Sequence, residues 1–437
     1  MNLKHELLVL NFILLLGFFY FMNLAVTTQA DMGLISINYL FICFLLNFGF
    51  VRFKELLNPI TFLVPFCLAY LYYGFMLSDR QVALCPEVLI SYYSFVSFFF
   101  FGTFCPVALA RKRATCISKS KIIFVDLVFI SGGAIFLFEA ILNGGFPLMT
   151  VLIQRVGSYS DLRFIPVLHY LVMLSAIMPS VYYYCYRSGY VSKKHYYLAA
   201  MCAVFIILNT LSRQLFILGL LTYLIVFMKI NNIRSVKTVC KWALSAGFLF
   251  LLIGQLRILS QKDSVSPLEF LKAYSGVPRD LEVNTFDVTF NLYSSLNFVT
   301  LNDLYTKAEK LHFGIYTLKP ILVLFHYDKA FAFEYLPDLD GLVRLGTILS
   351  DPYLDFGILG VVIFAFSYGA LLSGAFLAHA KTDNLGHSLI WASLCYAMVM
   401  SVFANYFNVM FIWICIVFAL CFCYSFSFGS KTALKVN

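Results

Sequence analysis

The chain has 437 residues, of which 61% are hydrophobic, 18% aromatic and only 12% charged. No soluble core of this size needs that much apolar surface, so the composition excludes a soluble enzyme and points to an all-α polytopic membrane protein. The net charge of +9 does not signal nucleic-acid binding, because the Lys and Arg residues form short clusters between apolar runs, which is the pattern of membrane topology.

Twelve runs are long enough to be read as membrane spans, with approximate bounds Leu7–Val26, Leu34–Phe50, Thr61–Leu77, Val88–Leu109, Ile122–Leu142, Ile165–Tyr184, Tyr197–Leu211, Leu215–Met228, Trp242–Leu256, Phe356–Leu377, Leu389–Ala404 and Val409–Phe426. The first is too long for a signal-peptide core and lacks a small-x-small cleavage site, so it reads as an uncleaved signal anchor. The two short runs around Arg213 are also open to a reading as one long or broken helix.

Orientation follows the basic residues. Arg52 and Lys54, the cluster from Arg111 to Lys121, Arg187 with Lys193 and Lys194, Lys229 through Lys241, Lys381, and Lys431 with Lys435 all fall on the side of Lys4 when twelve spans are counted. Both termini are therefore expected in the cytoplasm. Residues 1–256 carry spans one to nine, 257–355 form one large outward loop, and 356–437 carry the last three spans and the tail. Between Gln261 and Asp351 the loop has eight basic residues against twelve acidic ones, as an exported segment should. Within it, Phe313–Phe325 is apolar, interrupted by Pro320 and too short to span; it is expected to lie in the interface or to re-enter.

Most of the twelve cysteines lie in apolar spans, and none is in the large loop. There is no disulfide framework, no zinc spacing, no Walker loop, no GxGxxG, no HExxH and no GxSxG. Without a nucleotide-binding module, any reaction must use an already activated substrate or a gradient, and no cofactor is expected. No carboxylate cluster builds a metal site, so metal independence is expected.

What remains is a set of ionisable residues at the outward boundary. Glu139 is near the outer end of span five, Arg155, Asp161 and Arg163 follow in the next loop, His169 lies about one turn into span six, and Arg213 stands at the tip between spans seven and eight. Seven of the twelve arginines are assigned outward: Arg80, Arg155, Arg163, Arg213, Arg257, Arg279 and Arg344. Guanidinium matches phosphate oxygens bidentately, so a lipid-linked phosphate or pyrophosphate is the natural ligand. Arg80 and Arg257 read more simply as snorkelling anchors, and His169 as a helix-packing histidine. Glu139 and Asp126 share span five and are open to a structural pairing, while Asp338 and Asp340 read as solvated loop charges.

Three stretches, LNTLSRQLFILGLL around Arg213, RVGSYSDLRF before span six and GTILSDPYLDFGILGVVIFAFSYG entering span ten, resemble the Wzy-type polymerases that join oligosaccharide repeat units in O-antigen synthesis. The single large outward loop before the last spans fits the same layout. The resemblance implies a membrane glycosyltransferase of GT-C-like architecture in the bacterial inner membrane. It would transfer a growing glycan from undecaprenyl pyrophosphate onto another lipid-linked repeat unit at the periplasmic face, in lipopolysaccharide biosynthesis. Its partners would be those lipid-linked oligosaccharides, the bilayer and a chain-length regulator.

The residues meet that reaction. Arg163 and Arg213, supported by Arg155 and Arg279, would clamp the leaving pyrophosphate. Glu139, His169, Asp351 and Asp355 are the candidates for a general base, unranked, and Tyr353 is a candidate sugar-stacking ring. A flippase or other secondary transporter is the main rival, although no internal repeat is visible and the charges gather at one face. A ligase passing the glycan to a lipid A core needs the same donor and the same outward site.

Overall fold

A computed structural model describes residues 3–108, 119–146, 148, 163–165, 167–210, 212–259, 266–308, 310–324 and 346–423. Among these the chain is all-helical. In order come α1 (Leu3–Thr28), α2 (Met32–Phe53), α3 (Val64–Tyr73), α4 (Pro86–Gly102), α5 (Lys119–Leu142), α6 (His169–Met173), α7 (Met178–Arg187), α8 (Lys193–Asn209) and α9 (Arg213–Ile230). They are followed by α10 (Val236–Leu259), α11 (Pro267–Ser275), α12 (Thr285–Phe290), α13 (Leu296–Lys307), α14 (Lys319–Leu324), α15 (Ser350–Lys381), α16 (Leu385–Val399) and α17 (Met410–Cys423).

Local sequence explains many of these boundaries. Asp31 opens α2 by accepting the backbone N–H groups of Gly33 and Leu34, Ser192 opens α8 and Ser212 opens α9 in the same way. Pro86 stands in the first turn of α4, where its missing N–H costs nothing. Among the described residues, five helices are long and apolar enough to cross a membrane: α1, α2, α5, α15, and α16 with its following turn to Val402. The other apolar runs of the sequence also fall on helices, but several are short. The span expected at Ile165–Tyr184 is not one helix. It is α6, a 3-10 turn at Leu174–Ala176 and α7, and Pro179 in the first turn of α7 is why the ladder cannot run through.

By its contacts the chain divides into two compact units, one of Met1–Ala108, Asn232–Leu377 and Leu394–Ile412, the other of Leu109–Asn231, Ala378–Ser393 and Trp413–Asn437. In the first, the segment between α10 and α15 does not stand apart from the apolar helices. Phe298 of α13 packs on Phe66 and Tyr70 of α3, Phe290 packs on Tyr72, and the Ser295 hydroxyl donates to the Ala69 carbonyl. Close crossing of α4 and α15 depends on two glycines: a Cβ at Gly102 would sit 2.2 Å from the Phe366 carbonyl oxygen, and one at Gly369 2.2 Å from that of Phe99. Small residues let apolar helices approach in this way where lipid offers no hydrophobic drive.

In the second unit the two short runs around Arg213 form a hairpin. The Tyr196 and Tyr223 hydroxyls are 3.1 Å apart, and both rings pack against Tyr183 of α7. In one continuous helix those 27 positions would span about 40 Å. Glu139 and Asp126 do not pair either. They are 13 residues apart on α5, about 20 Å along the axis, and each takes a histidine instead.

Candidate active site

The last turn of α5 is set by its sequence NGG. Gly144, at φ 72°, ends the helix: its N–H donates to Ile141 O and that of Gly145 to Ala140 O. Two turns before Glu139, on the same face, is Gly132, where a Cβ would lie 2.6 Å from the Leu171 carbonyl oxygen, so only glycine lets α6 come this close. That approach delivers His169, the first residue of α6, to Glu139.

Glu139 is 3% exposed, and each of its carboxylate oxygens has a partner. Oε1 accepts the Ile165 N–H at 3.0 Å, and Oε2 lies 2.9 Å from His169 Nδ1. A carboxylate buried this deeply requires such donors. The result is a carboxylate–imidazole dyad in which the acid fixes ring orientation, the arrangement that suits a histidine for moving protons. The Phe164 ring lies against the imidazole with centroids 4.3 Å apart. Arg163 is exposed, and its backbone is tied to Asn143, one turn beyond Glu139. The main chain at Arg163 is therefore held one turn from the dyad's carboxylate. The three sequence candidates Glu139, His169 and Arg163 meet here in one unit.

Asp351, Asp355, Tyr353 and Arg279 belong to the other unit. Asp355 is fully buried, and its carboxylate accepts the N–H of Tyr316 at 3.1 Å and both the N–H and the hydroxyl of Thr317 at 2.6 Å. With its oxygens so occupied, Asp355 is a structural clasp between α15 and the turn before α14, better placed for anchoring than for taking a proton. Asp351 is half-buried and accepts from the Asn408 amide, which also donates to Tyr316 O at 2.7 Å. The Tyr316 phenol is pushed up by burial first and then by the nearby charges of Asp351 and Asp355. Tyr353 lies flat on the buried Tyr305, centroids 3.4 Å apart at 9°, so one face of its ring is already committed. Arg279 is exposed, and its carbonyl accepts from Lys272 Nζ.

Just beyond Asp351, α15 bends at Gly357, whose φ of 63° and ψ of −152° suit glycine alone. The bend opens an apolar groove of about 310 Å³ lined by Thr317, Pro352, Phe356, Leu359, Ile363 and Ser367, among others. Thr317, whose N–H and hydroxyl donate to Asp355, is one of its lining residues.

Arg155 lies outside the described residues, as do Asp161, Asp338, Asp340 and Arg344; Arg213 opens α9, but its side chain lies outside what the structure describes. Sequence reasoning missed Asn143 and Asn408, the two amides that hold these groups in place. It also gave Asp287 no individual role. Asp287 is 2% exposed and accepts from the hydroxyls of both Tyr20 and Tyr72. The NGG signature at a helix end would have flagged Asn143; nothing local to Asn408 or Asp287 points to a partner so distant in sequence. The chain matches no protein family, no curated protein and no solved structure.

Proposed function

We propose that this membrane-associated chain is a glycosyltransferase that polymerises lipid-linked oligosaccharide repeat units at the periplasmic face of the bacterial inner membrane. The observation that carries this reading is the buried Glu139–His169 dyad with the main chain of the exposed Arg163, a residue type suited to phosphate, held next to it. The apolar groove on α15 supports a long-chain lipid as the carrier. In this proposal the chain crosses the bilayer twelve times with both termini inside, as its charge bias suggests.

The chemistry balances without a nucleotide. The acceptor hydroxyl attacks the anomeric carbon of the donor glycan, the new glycosidic C–O bond forms as the C–O bond to pyrophosphate breaks, and undecaprenyl pyrophosphate leaves. The hydroxyl proton passes to the Glu139–His169 pair, and Arg163 meets the charge that grows on the pyrophosphate, with Arg213 and Arg155 as further candidates. Asp351 stays a second candidate base.

A transporter of the same lipid is the alternative that a specific observation favours. Asp126 of α5 and His195 of α8, 3.4 Å apart, form a second carboxylate–histidine pair, and two such pairs sharing one helix suit proton coupling. Deleting the gene in its host and running the surface polysaccharide on a gel separates the readings. A polymerase leaves core plus one repeat unit and no long chains, whereas loss of a flippase or a ligase leaves core alone. An unchanged ladder contradicts all three.

A further inference from the structure

The Gly144–Gly145 cap satisfies the carbonyls of Ile141 and Ala140, so the side chain of Asn143 is not required to end the helix. Its amide does something else. Nδ2 donates to Arg163 O at 2.9 Å, and Oδ1 accepts from Arg163 N at 2.8 Å. Nδ2 also donates to Glu139 O at 2.7 Å, which locks the amide plane. One side chain thus pairs with both backbone groups of one residue, as a neighbouring strand would, across 20 positions of sequence. Two residues on, Glu139 Oε1 takes the Ile165 N–H. Residues 139 and 143 lie one turn apart on α5, so a single helix face carries the dyad's carboxylate and holds the main chain at 163 and 165.

We propose that Asn143 is the positioning residue of the anion site: a two-point amide clamp that aims the Arg163 guanidinium at the phosphate of the lipid-linked donor, in fixed relation to the Glu139–His169 dyad. This rests on the proposed reading of Arg163 as a phosphate ligand. A clamp of this kind needs a donor and an acceptor on one short side chain. Asp keeps only the acceptor and Ala has neither. The guanidinium itself is untouched in either variant, so what changes is its placement, and a small error in placement weakens binding before it slows chemistry.

The test uses the full-length protein in lipid nanodiscs, with undecaprenyl-pyrophosphate-linked repeat unit as substrate and inorganic pyrophosphate as competing probe. Wild type, Asn143→Ala, Arg163→Ala and the double variant are compared for KM, kcat and the inhibition constant of pyrophosphate. The clamp requires Asn143→Ala to raise the donor KM and the pyrophosphate constant about tenfold, with kcat changed less than about threefold. It also requires the double variant to be no worse than Arg163→Ala, because a clamp with nothing to aim has no further effect. Asn143→Asp, which keeps one of the two bonds to Arg163, serves if the alanine variant fails to accumulate, and should shift pyrophosphate binding in the same direction.

An unchanged pyrophosphate constant in the Asn143 variants overturns the proposal, as does a loss that adds fully to that of Arg163→Ala, which would make Asn143 a fold residue only. A silent Arg163→Ala removes the anion role and the clamp together. The polymerase reading is judged separately, by whether the wild-type protein forms polymer in the same assay.

Discussion

Helix α5 carries a carboxylate–histidine pair at each end, and the two are built differently. Glu139 and His169 are 3% and 14% exposed, 2.9 Å apart, with the carboxylate taking a second bond from the Ile165 backbone. Asp126 and His195 are 31% and 42% exposed, 3.4 Å apart, and Asp126 accepts from the Tyr182 hydroxyl at 2.7 Å. The same two residue types give a preorganised site at one end and a solvated contact at the other. The difference lies in what surrounds them. Gly132 admits the backbone of α6 beside Glu139, and the NGG cap turns Asn143 toward Arg163. At Asp126 the framing is a single tyrosine, Tyr182, whose hydroxyl donates to the carboxylate and whose ring lies against His195. Burial with satisfied bonds, more than the presence of His and Asp or Glu, is what separates a candidate active site from a surface pair.

The largest effect should come from Glu139→Ala. It removes the acceptor for His169 and for the Ile165 N–H, each buried loss costing about 1–3 kcal/mol, so melting temperature should drop along with glycan polymerisation by at least about 10²-fold. Thermal melting and a polymerisation assay read both. Next come two neighbouring glycines that differ in surroundings. A Cβ at Gly132 meets the Leu171 carbonyl, whereas one at Gly133 meets nothing within 4 Å. Gly132→Ala should destabilise by about 1–3 kcal/mol and impair activity. Gly133→Ala should be neutral or stabilising by up to about 1 kcal/mol, since alanine is the better helix former. Equal melting temperatures for the two variants would break the argument that close approach builds the buried end.

Arg163→Ala should weaken donor binding about tenfold, with Arg163→Lys recovering only part, because lysine lacks the planar fork. Donor KM in the same assay decides it. The smallest effect belongs to the other end of α5. Asp126→Asn or His195→Ala should change stability by no more than about 1 kcal/mol and leave polymerisation within about twofold of wild type. A loss there comparable to that of Glu139→Ala would move the account toward proton-coupled transport.

Much of the architecture was legible because apolar run length is a local signal. Helix α5 was expected at Ile122–Leu142 and runs from Lys119 to Leu142, and α15, expected from Phe356, begins six residues earlier at Ser350. What escaped were a helix break and features that depend on distant partners. The break in Ile165–Tyr184 had a local cause in Pro179 that run length ignores. The hairpin at Arg213 was expected from its two separate runs; what escaped is how it is held, by Tyr183, Tyr196 and Tyr223, which only meet once the helices fold back. At the site, Glu139, His169 and Arg163 stood out as charges near one boundary, and the structure groups them. Asp355 stood out for the same reason, yet its carboxylate is spent on Tyr316 and Thr317. Charge type and depth locate a candidate; the donors around it decide its work.

The central claim is that the buried dyad is the catalytic centre of a polymerase. Its most direct test is to express Glu139→Gln, which keeps size and an acceptor but not the charge, in a strain lacking the gene, at a membrane level matched to wild type. The account predicts surface polysaccharide stalled at core plus one repeat unit. A full ladder of long chains from that variant would contradict it.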